Sequence, residues 1–252
     1  MLHLDGYTTA TLIFLAGAAF LAGLARGFSG FGAALIFIPL ASTVVGPQVA
    51  APLLLIIDFV LTAGFMPKAW PLSHKRDVAI IAAGAVIGVP FGTAVLFYSD
   101  PITVRWLVIA LIAPLLALLM TGWRYKNRPK TWLTVGVGTI SGFLSGVAQV
   151  GGPPVMMYWL GGAHKGAVVR ANIMIYSIAS ATMALILYFA AGFLVRSLPG
   201  LALVVGPAYG LGLYLGSHMF GVASEATFRR VCYALVLVAL IIGLPLLDGV
   251  LR

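Results

Sequence analysis

The sequence is short of charge, and above all of negative charge. Six Asp and Glu stand against fifteen Lys and Arg, and charged residues fill only 8% of the 252 positions. A soluble globular domain carries roughly 25%, which excludes a water-soluble enzyme, a disordered chain and a nucleic-acid-binding module. The net charge of +9 comes from basic residues set between apolar runs, the pattern of membrane-protein loops rather than of a nucleic-acid partner surface. Cysteine is nearly absent. Cys232 alone excludes a disulfide framework and any Cys-based zinc or iron–sulfur site, and in its apolar run it reads as a small hydrophobe. His3, His74, His164 and His218 are scattered, so no metal is expected. No nucleotide-binding loop is present, so no cofactor and no ATP-driven cycle are expected either. No basic region precedes the apolar run that begins at Thr8, which argues against a cleavable signal peptide. Strict alternation of apolar and polar residues is missing as well, which excludes an outer-membrane barrel.

What the chain has instead is apolar length: 62% of it is hydrophobic, with a mean hydropathy of +1.09. A membrane-crossing helix needs about 20 apolar residues. Ten apolar segments satisfy or approach this, at 8–26, 32–45, 47–67, 76–98, 103–122, 131–149, 152–162, 167–193, 199–221 and 227–248. The expected fold is an all-α integral membrane protein of one domain (1–252) with 8–10 membrane-spanning helices. Segments two and seven are short and occupy matching places in the two halves.

The halves repeat. Gly23, Gly27 and Gly32 precede Gly142, Gly146 and Gly151 by a constant 119 residues, and Ser99-Asp100 with Arg105 precedes Ser224-Glu225 with Arg230 by 125. Repeat 1 is 8–122 and repeat 2 is 131–248. If all ten segments cross with the N-terminus outside, twelve basic residues fall at the cytoplasmic side, among them Lys68, Lys75, Arg76 and the Arg124–Lys130 cluster. Only Arg105, Arg196 and Arg252 then lie outside. The positive-inside rule favours this arrangement, in which five crossings per repeat make the repeats inverted. If segments two and seven dip in and return, the split is nine against six. Trp70, Trp106, Trp123 and Trp132 fall at segment ends, where aromatic belts lie.

Residues 27–40 read Gly-Phe-Ser-Gly-Phe-Gly-Ala-Ala-Leu-Ile-Phe-Ile-Pro-Leu, and 146–155 read Gly-Val-Ala-Gln-Val-Gly-Gly-Pro-Pro-Val. Together these passages resemble the paired glycine-rich signatures of the sulfite exporter (TauE/SafE) family of membrane transporters. The likeness covers nearly the whole chain, with one departure: Pro39 has Tyr158 as its repeat counterpart. The resemblance implies export or uptake of small sulfur-containing anions or organic acids.

The residues themselves fit an anion site. A glycine-rich break frees backbone N–H groups and exposes the positive end of the next helix; close helix packing by small residues is the plainer alternative. Two such ends, near Gly30 and Gly32 and near Gly151 and Gly152, are expected to meet and hold an oxyanion. For Gly84, Gly88 and Gly92, and for Gly206 and Gly210, packing is the expected role. Ser141, Ser145 and Gln149 share one helix face, as do Asn172, Tyr176 and Ser180, for each of which an interhelical hydrogen bond is the plainer alternative. Arg26, the counterpart of Ser145, either pairs with the anion or extends to the surface, and Ser29 lies in the first break. The substrate-binding set is therefore Arg26, Ser29, Gly30, Gly32, Ser145, Gln149, Gly151, Gly152, Asn172 and Tyr176.

Asp58 is the one carboxylate far from a segment end, and a charge at that depth faces a partner or a cavity. It is either a proton carrier for coupled transport or a fixed partner of Arg26 or Arg170. The expected function is a secondary active exporter in a bacterial inner membrane, rocking one repeat against the other. Its expected partners are a small anion, the lipid bilayer, protons and a second copy of itself as a homo-oligomer. An anion channel of the same architecture is the main alternative. A rhomboid-like protease is a distant one: Gly27-Phe-Ser-Gly30 and Ser217-His-Met-Phe-Gly221 resemble its motifs, but its serine follows several membrane segments and Ser29 follows one.

Overall fold

A computed structural model describes residues 6–64, 66–122, 130–160, 166–219 and 225–248. The expectations for Trp123, His164, Lys165 and most of the Arg124–Lys130 cluster lie outside these. Among the described residues eleven α-helices follow one another: α1 Thr9–Ser29, α2 Ala33–Val45, α3 Pro47–Ala63, α4 Met66–Ala69, α5 Lys75–Tyr98, α6 Pro101–Thr121, α7 Thr131–Ala148, α8 Gly152–Leu160, α9 Gly166–Ala190, α10 Leu198–Met219 and α11 Glu225–Gly243. Among the described residues there is no strand. In hydrocarbon every backbone N–H and C=O must be satisfied within the segment, so apolar runs of this length become helices. Their ends are marked by local chemistry. The Thr8 hydroxyl accepts from the Thr11 N–H at the start of α1, and the Asp100 carboxylate accepts from the N–H groups of Ile102 and Thr103 ahead of Pro101 in α6.

Among the described residues six helices, α1, α5, α6, α7, α9 and α10, are long and apolar enough to cross a membrane, and α3 with its bent continuation makes up to seven. The second and seventh segments are short, as expected: α2 has 13 residues and α8 has 9. At 1.5 Å per residue, α8 reaches less than half of a ~30 Å hydrocarbon core. Trp70, Trp106 and Trp132 are exposed near helix ends, where an interfacial ring has one face in lipid and its N–H in water.

The two most extensive helix pairs are α5 with α7 and α1 with α10. By the sequence repeat, α1 corresponds to α7 and α10 to α5, so the first helix of each repeat packs on the fourth helix of the other. Glycine makes both pairs possible. A side chain at Gly23 or Gly27 of α1 would strike the backbone of Tyr209, Leu213 and Ser217, and one at Gly212 or Gly216 of α10 would strike that of Phe20 and Leu24. Gly84, Gly88 and Gly92 of α5 meet the backbone of α7 in the same way, while Gly138, Gly142 and Gly146 meet α5. Packing at Gly84, Gly88 and Gly92 thus matches the sequence reading. Gly206 and Gly210 do not: the first has nothing near it and the second only the Leu61 side chain. The contacting glycines of α10 are Gly212 and Gly216, six residues farther along and so about 120° round the helix.

Elsewhere, Arg105 at the start of α6 donates to both oxygens of Asp248, at 2.6 and 3.0 Å, and to the Gly243 carbonyl at 3.0 Å. This clasp ties α6 to its repeat counterpart α11.

Candidate functional site

The chain breaks after α1 and again after α7, and the two breaks are built alike. Helix α1 ends at Gly30, with φ 78°, whose N–H returns to the Arg26 carbonyl. Helix α7 ends at Gln149, with φ 58°, whose N–H returns to Ser145. Gly30 and Gln149 are repeat counterparts, 119 residues apart. The left-handed turn costs glycine nothing but is disfavoured for glutamine, so Gln149 is held there by side-chain bonds. Its amide donates to the Ser145 carbonyl at 2.9 Å and to the Tyr188 hydroxyl at 3.3 Å. Behind it, Tyr176 donates to Ser141 at 2.8 Å, and Ser141 donates to the Gly151 carbonyl.

Both breaks open into one small cavity of about 60 Å³. Its lining includes Arg26, Phe31 and Gly32 with the first turn of α2, Leu54, Leu55 and Asp58 of α3, Ser145, Gln149, Gly151, Gly152 and Pro153 from the second break, and Tyr176, Ser177 and Ser180 of α9. Eight of the sequence-predicted residues are brought together here: Arg26, Gly32, Ser145, Gln149, Gly151, Gly152, Tyr176 and Asp58.

The other three lie apart from the lining. Ser29 donates to the carbonyls of Ala25 and Phe31 and accepts from the Phe31 N–H, bracing its own loop. Gly30 turns the chain and packs over the Arg170 side chain. Asn172 is fully buried and accepts from the His74 N–H at 2.7 Å, which anchors the entry to α5. Ser29 and His218 form no hydrogen bond with each other among the described residues; His218 bonds Tyr214 and Ser217 in its own helix.

Among the described residues, Arg26 and Asp58 are the only charged side chains in the lining. They form a two-pronged pair, Nε to Oδ1 at 3.1 Å and Nη2 to Oδ2 at 3.0 Å, and Nη1 donates to the Gly30 carbonyl at 2.7 Å. Arg26 therefore does not extend to the surface; its side chain is 11% exposed and that of Asp58 24%. Three of the five guanidinium N–H groups are engaged, which leaves one on each terminal nitrogen for a ligand. Of the two partners expected for Asp58, Arg26 is the one found, while Arg170 donates to the Gly27 carbonyl at 3.2 Å. The sequence reading missed Tyr209. Its hydroxyl, fully buried on α10, donates to Asp58 Oδ1 at 2.6 Å.

The sequence model of the sulfite exporter TauE/SafE family matches residues 15–243. The match runs from the first turns of α1 to the end of α11 and takes in both breaks, the cavity and the Arg26–Asp58 pair. The chain belongs to the TauE/SafE family. No curated protein and no solved structure gives a significant match. TauE/SafE membership makes the chain a multi-pass membrane protein of an exporter-type transporter family, not of an enzyme family. The glycine signatures that carry the resemblance are, in this TauE/SafE chain, both the interlock between helices and the breaks that open the cavity.

Proposed function

We propose that this cavity binds a small sulfur-containing oxyanion, sulfite or an organosulfonate, and carries it outward across a bacterial inner membrane. The observation that supports this best is convergence: two helix breaks from two repeats open on one space beside a buried arginine. In the first break the N–H groups of Ala33 and Ala34 lie at the positive end of α2, where an anion is stabilised. Arg26 adds donors in a fixed fork that suits oxyanions. Gly151, Gly152, Ser145 and Gln149 close the space from the second break with neutral dipoles.

Alternating access then needs two bodies that move past one another. Rocking whole repeats would pull apart both glycine interlocks, because each joins one repeat to the other. The moving units are instead mixed: α1, α2 and α3 with α10, against α7, α8 and α9 with α5. The cavity lies between them, and the repeats run in opposite directions. Asp58 is the proton carrier in this reading. It faces Arg26 from α1 and Tyr209 from α10, with Tyr176 of α9 across the cavity. A proton on Asp58 would leave Arg26 with its charge uncompensated when the anion arrives, so anion and proton would load together.

The test is sulfite uptake by proteoliposomes under an imposed pH gradient. A transporter accumulates sulfite above the outside concentration, whereas a channel only dissipates its gradient. Asp58→Asn should lose accumulation and keep exchange at equal concentrations on the two sides. Accumulation that survives in Asp58→Asn removes the proton role from Asp58.

A further inference from the structure

Asp58 sits where the substrate would sit. Its carboxylate lies along the Nε–Nη2 edge of Arg26, in contact through both oxygens at 3.1 and 3.0 Å. That edge is the face on which a guanidinium recognises any group offering two coplanar oxygens. A sulfite or sulfonate presents such a pair, and so does a carboxylate. The cavity thus already contains an anion of the class it would bind, attached to its own wall.

Three features suit that carboxylate to leaving. Arg26 is anchored independently of it, by Nη1 to the Gly30 carbonyl at 2.7 Å, so the guanidinium keeps its place when Asp58 moves. The Asp58 side chain is 24% exposed and borders open space, so it has somewhere to go. Its two oxygens are also held unequally. Among the described residues Oδ2 accepts from Arg26 alone, whereas Oδ1 also accepts from Tyr209 at 2.6 Å. Tyr209 is fully buried, and its backbone is locked against Gly23 by the α1–α10 interlock. Turning about the Oδ1–Tyr209 bond would release both contacts to Arg26 and still leave the carboxylate a donor.

From this geometry we infer that Asp58 is a tethered competitor for the transported anion, and that Tyr209 is a positioning residue that receives the displaced carboxylate. The inference rests on the anion-site reading above and adds a selectivity rule to it. The preferred ligand offers two oxygens on one face, so oxyanions displace Asp58 and a monatomic halide does not. Apparent affinity is the intrinsic affinity multiplied by the fraction of molecules in which Arg26 is free. Removing the competitor should therefore tighten binding, the opposite of what loss of a scaffolding partner would do.

The experiment is a sulfite titration of the purified full chain in detergent, at one fixed pH, on the wild type, Asp58→Asn, Tyr209→Phe and the double variant. Asp58→Asn should bind sulfite about tenfold more tightly if Arg26 is free in roughly one molecule in ten. Tyr209→Phe should bind several-fold more weakly, because the displaced carboxylate leans on Tyr209 alone while the paired one shares it with Arg26. In the Asp58→Asn background the tyrosine change should have no further effect, since Tyr209 acts through Asp58. A wild type that binds sulfite and an Asp58→Asn variant that binds it equally or less tightly overturn the competitor and leave the anion site standing. If Asp58→Asn does not fold, Tyr209→Phe decides alone, and unchanged or tighter binding overturns the proposal. Failure of both wild type and Asp58→Asn to bind sulfite removes the anion site itself, and the competitor with it.

Discussion

The two helix breaks share one glycine spacing in the sequence, yet only the first carries charge. In the first, Arg26 and Asp58 pair across the cavity wall; their counterparts in the second are Ser145 and Ser177, both neutral and both in the lining. The helices that follow differ in the same direction. Helix α2 begins Ala33-Ala34-Leu35 with a peptide N–H at each position, while α8 begins Gly152-Pro153-Pro154, where two of three are missing. Proline is tolerated in a first helical turn because those N–H groups have no intrahelical partner, so the folding cost is small. The loss falls on what the helix end can donate to a ligand. One backbone geometry thus gives a break that bears charge and free helix-end donors and a second that lines the cavity with neutral groups.

The largest expected effect breaks this contrast on its charged side. Arg26→Gln should weaken sulfite binding by about 10- to 150-fold, corresponding to the ~1.5–3 kcal/mol of a charge-assisted hydrogen bond. It should also lower the melting temperature, because the Asp58 carboxylate then keeps only the Tyr209 hydroxyl as its side-chain donor. Ser145→Ala, at the equivalent place in the second break, should change binding less than tenfold. Equal losses in the two titrations would show that the breaks contribute alike and that the charge difference does not matter.

How much of this asymmetry the sequence disclosed follows from the physics of each feature. The ten segments were legible because hydrocarbon forces long apolar runs into helices, and the helices begin and end within a few residues of the runs in most cases. Arg26 and Asp58 stood out because charge is so rare in such runs. Tyr209 did not, because a tyrosine in an apolar helix looks like any other aromatic, and its partner Asp58 is 151 residues away. The Asn172, Tyr176 and Ser180 stripe was only partly informative. Residues four apart drift by about 40° around a helix and rise about 6 Å, enough to set Asn172 beside the His74 loop and Tyr176 in the cavity. Ser29 is ambiguous in another way: a serine in a glycine-rich turn is as well suited to bracing its own loop, as it does here, as to binding a ligand.

An intermediate effect comes from copying the proline of one break into the other. Ala34 of α2 corresponds to Pro153 of α8. Ala34→Pro would remove one N–H from the first turn of α2 with little cost to the helix, and should weaken sulfite binding by about tenfold, the lower end for a hydrogen bond to a charged group. Pro153→Ala, the reverse exchange, should tighten binding by no more than a few-fold, because no arginine stands beside that helix start. If Ala34→Pro leaves the titration unchanged, the end of α2 contributes nothing to the anion and Arg26 carries the site.

The smallest effect tests why glutamine stands where the first break has glycine. At φ 58° a side chain costs roughly 1 kcal/mol relative to glycine. Gln149 offsets this through its bonds to the Ser145 carbonyl and to Tyr188, each contributing about 0.5–1.5 kcal/mol. Gln149→Gly loses the bonds and the strain together, so its stability should lie within ~1 kcal/mol of the wild type. Gln149→Ala loses the bonds and keeps the strain, so it should be the less stable of the two by about 1 kcal/mol. That order, glycine above alanine, is the reverse of the order inside a helix, and thermal unfolding of the two variants in the same detergent reads it directly. Alanine above glycine would mean that residue 149 is not held in the left-handed turn, and the correspondence between the two breaks would end at Gly30.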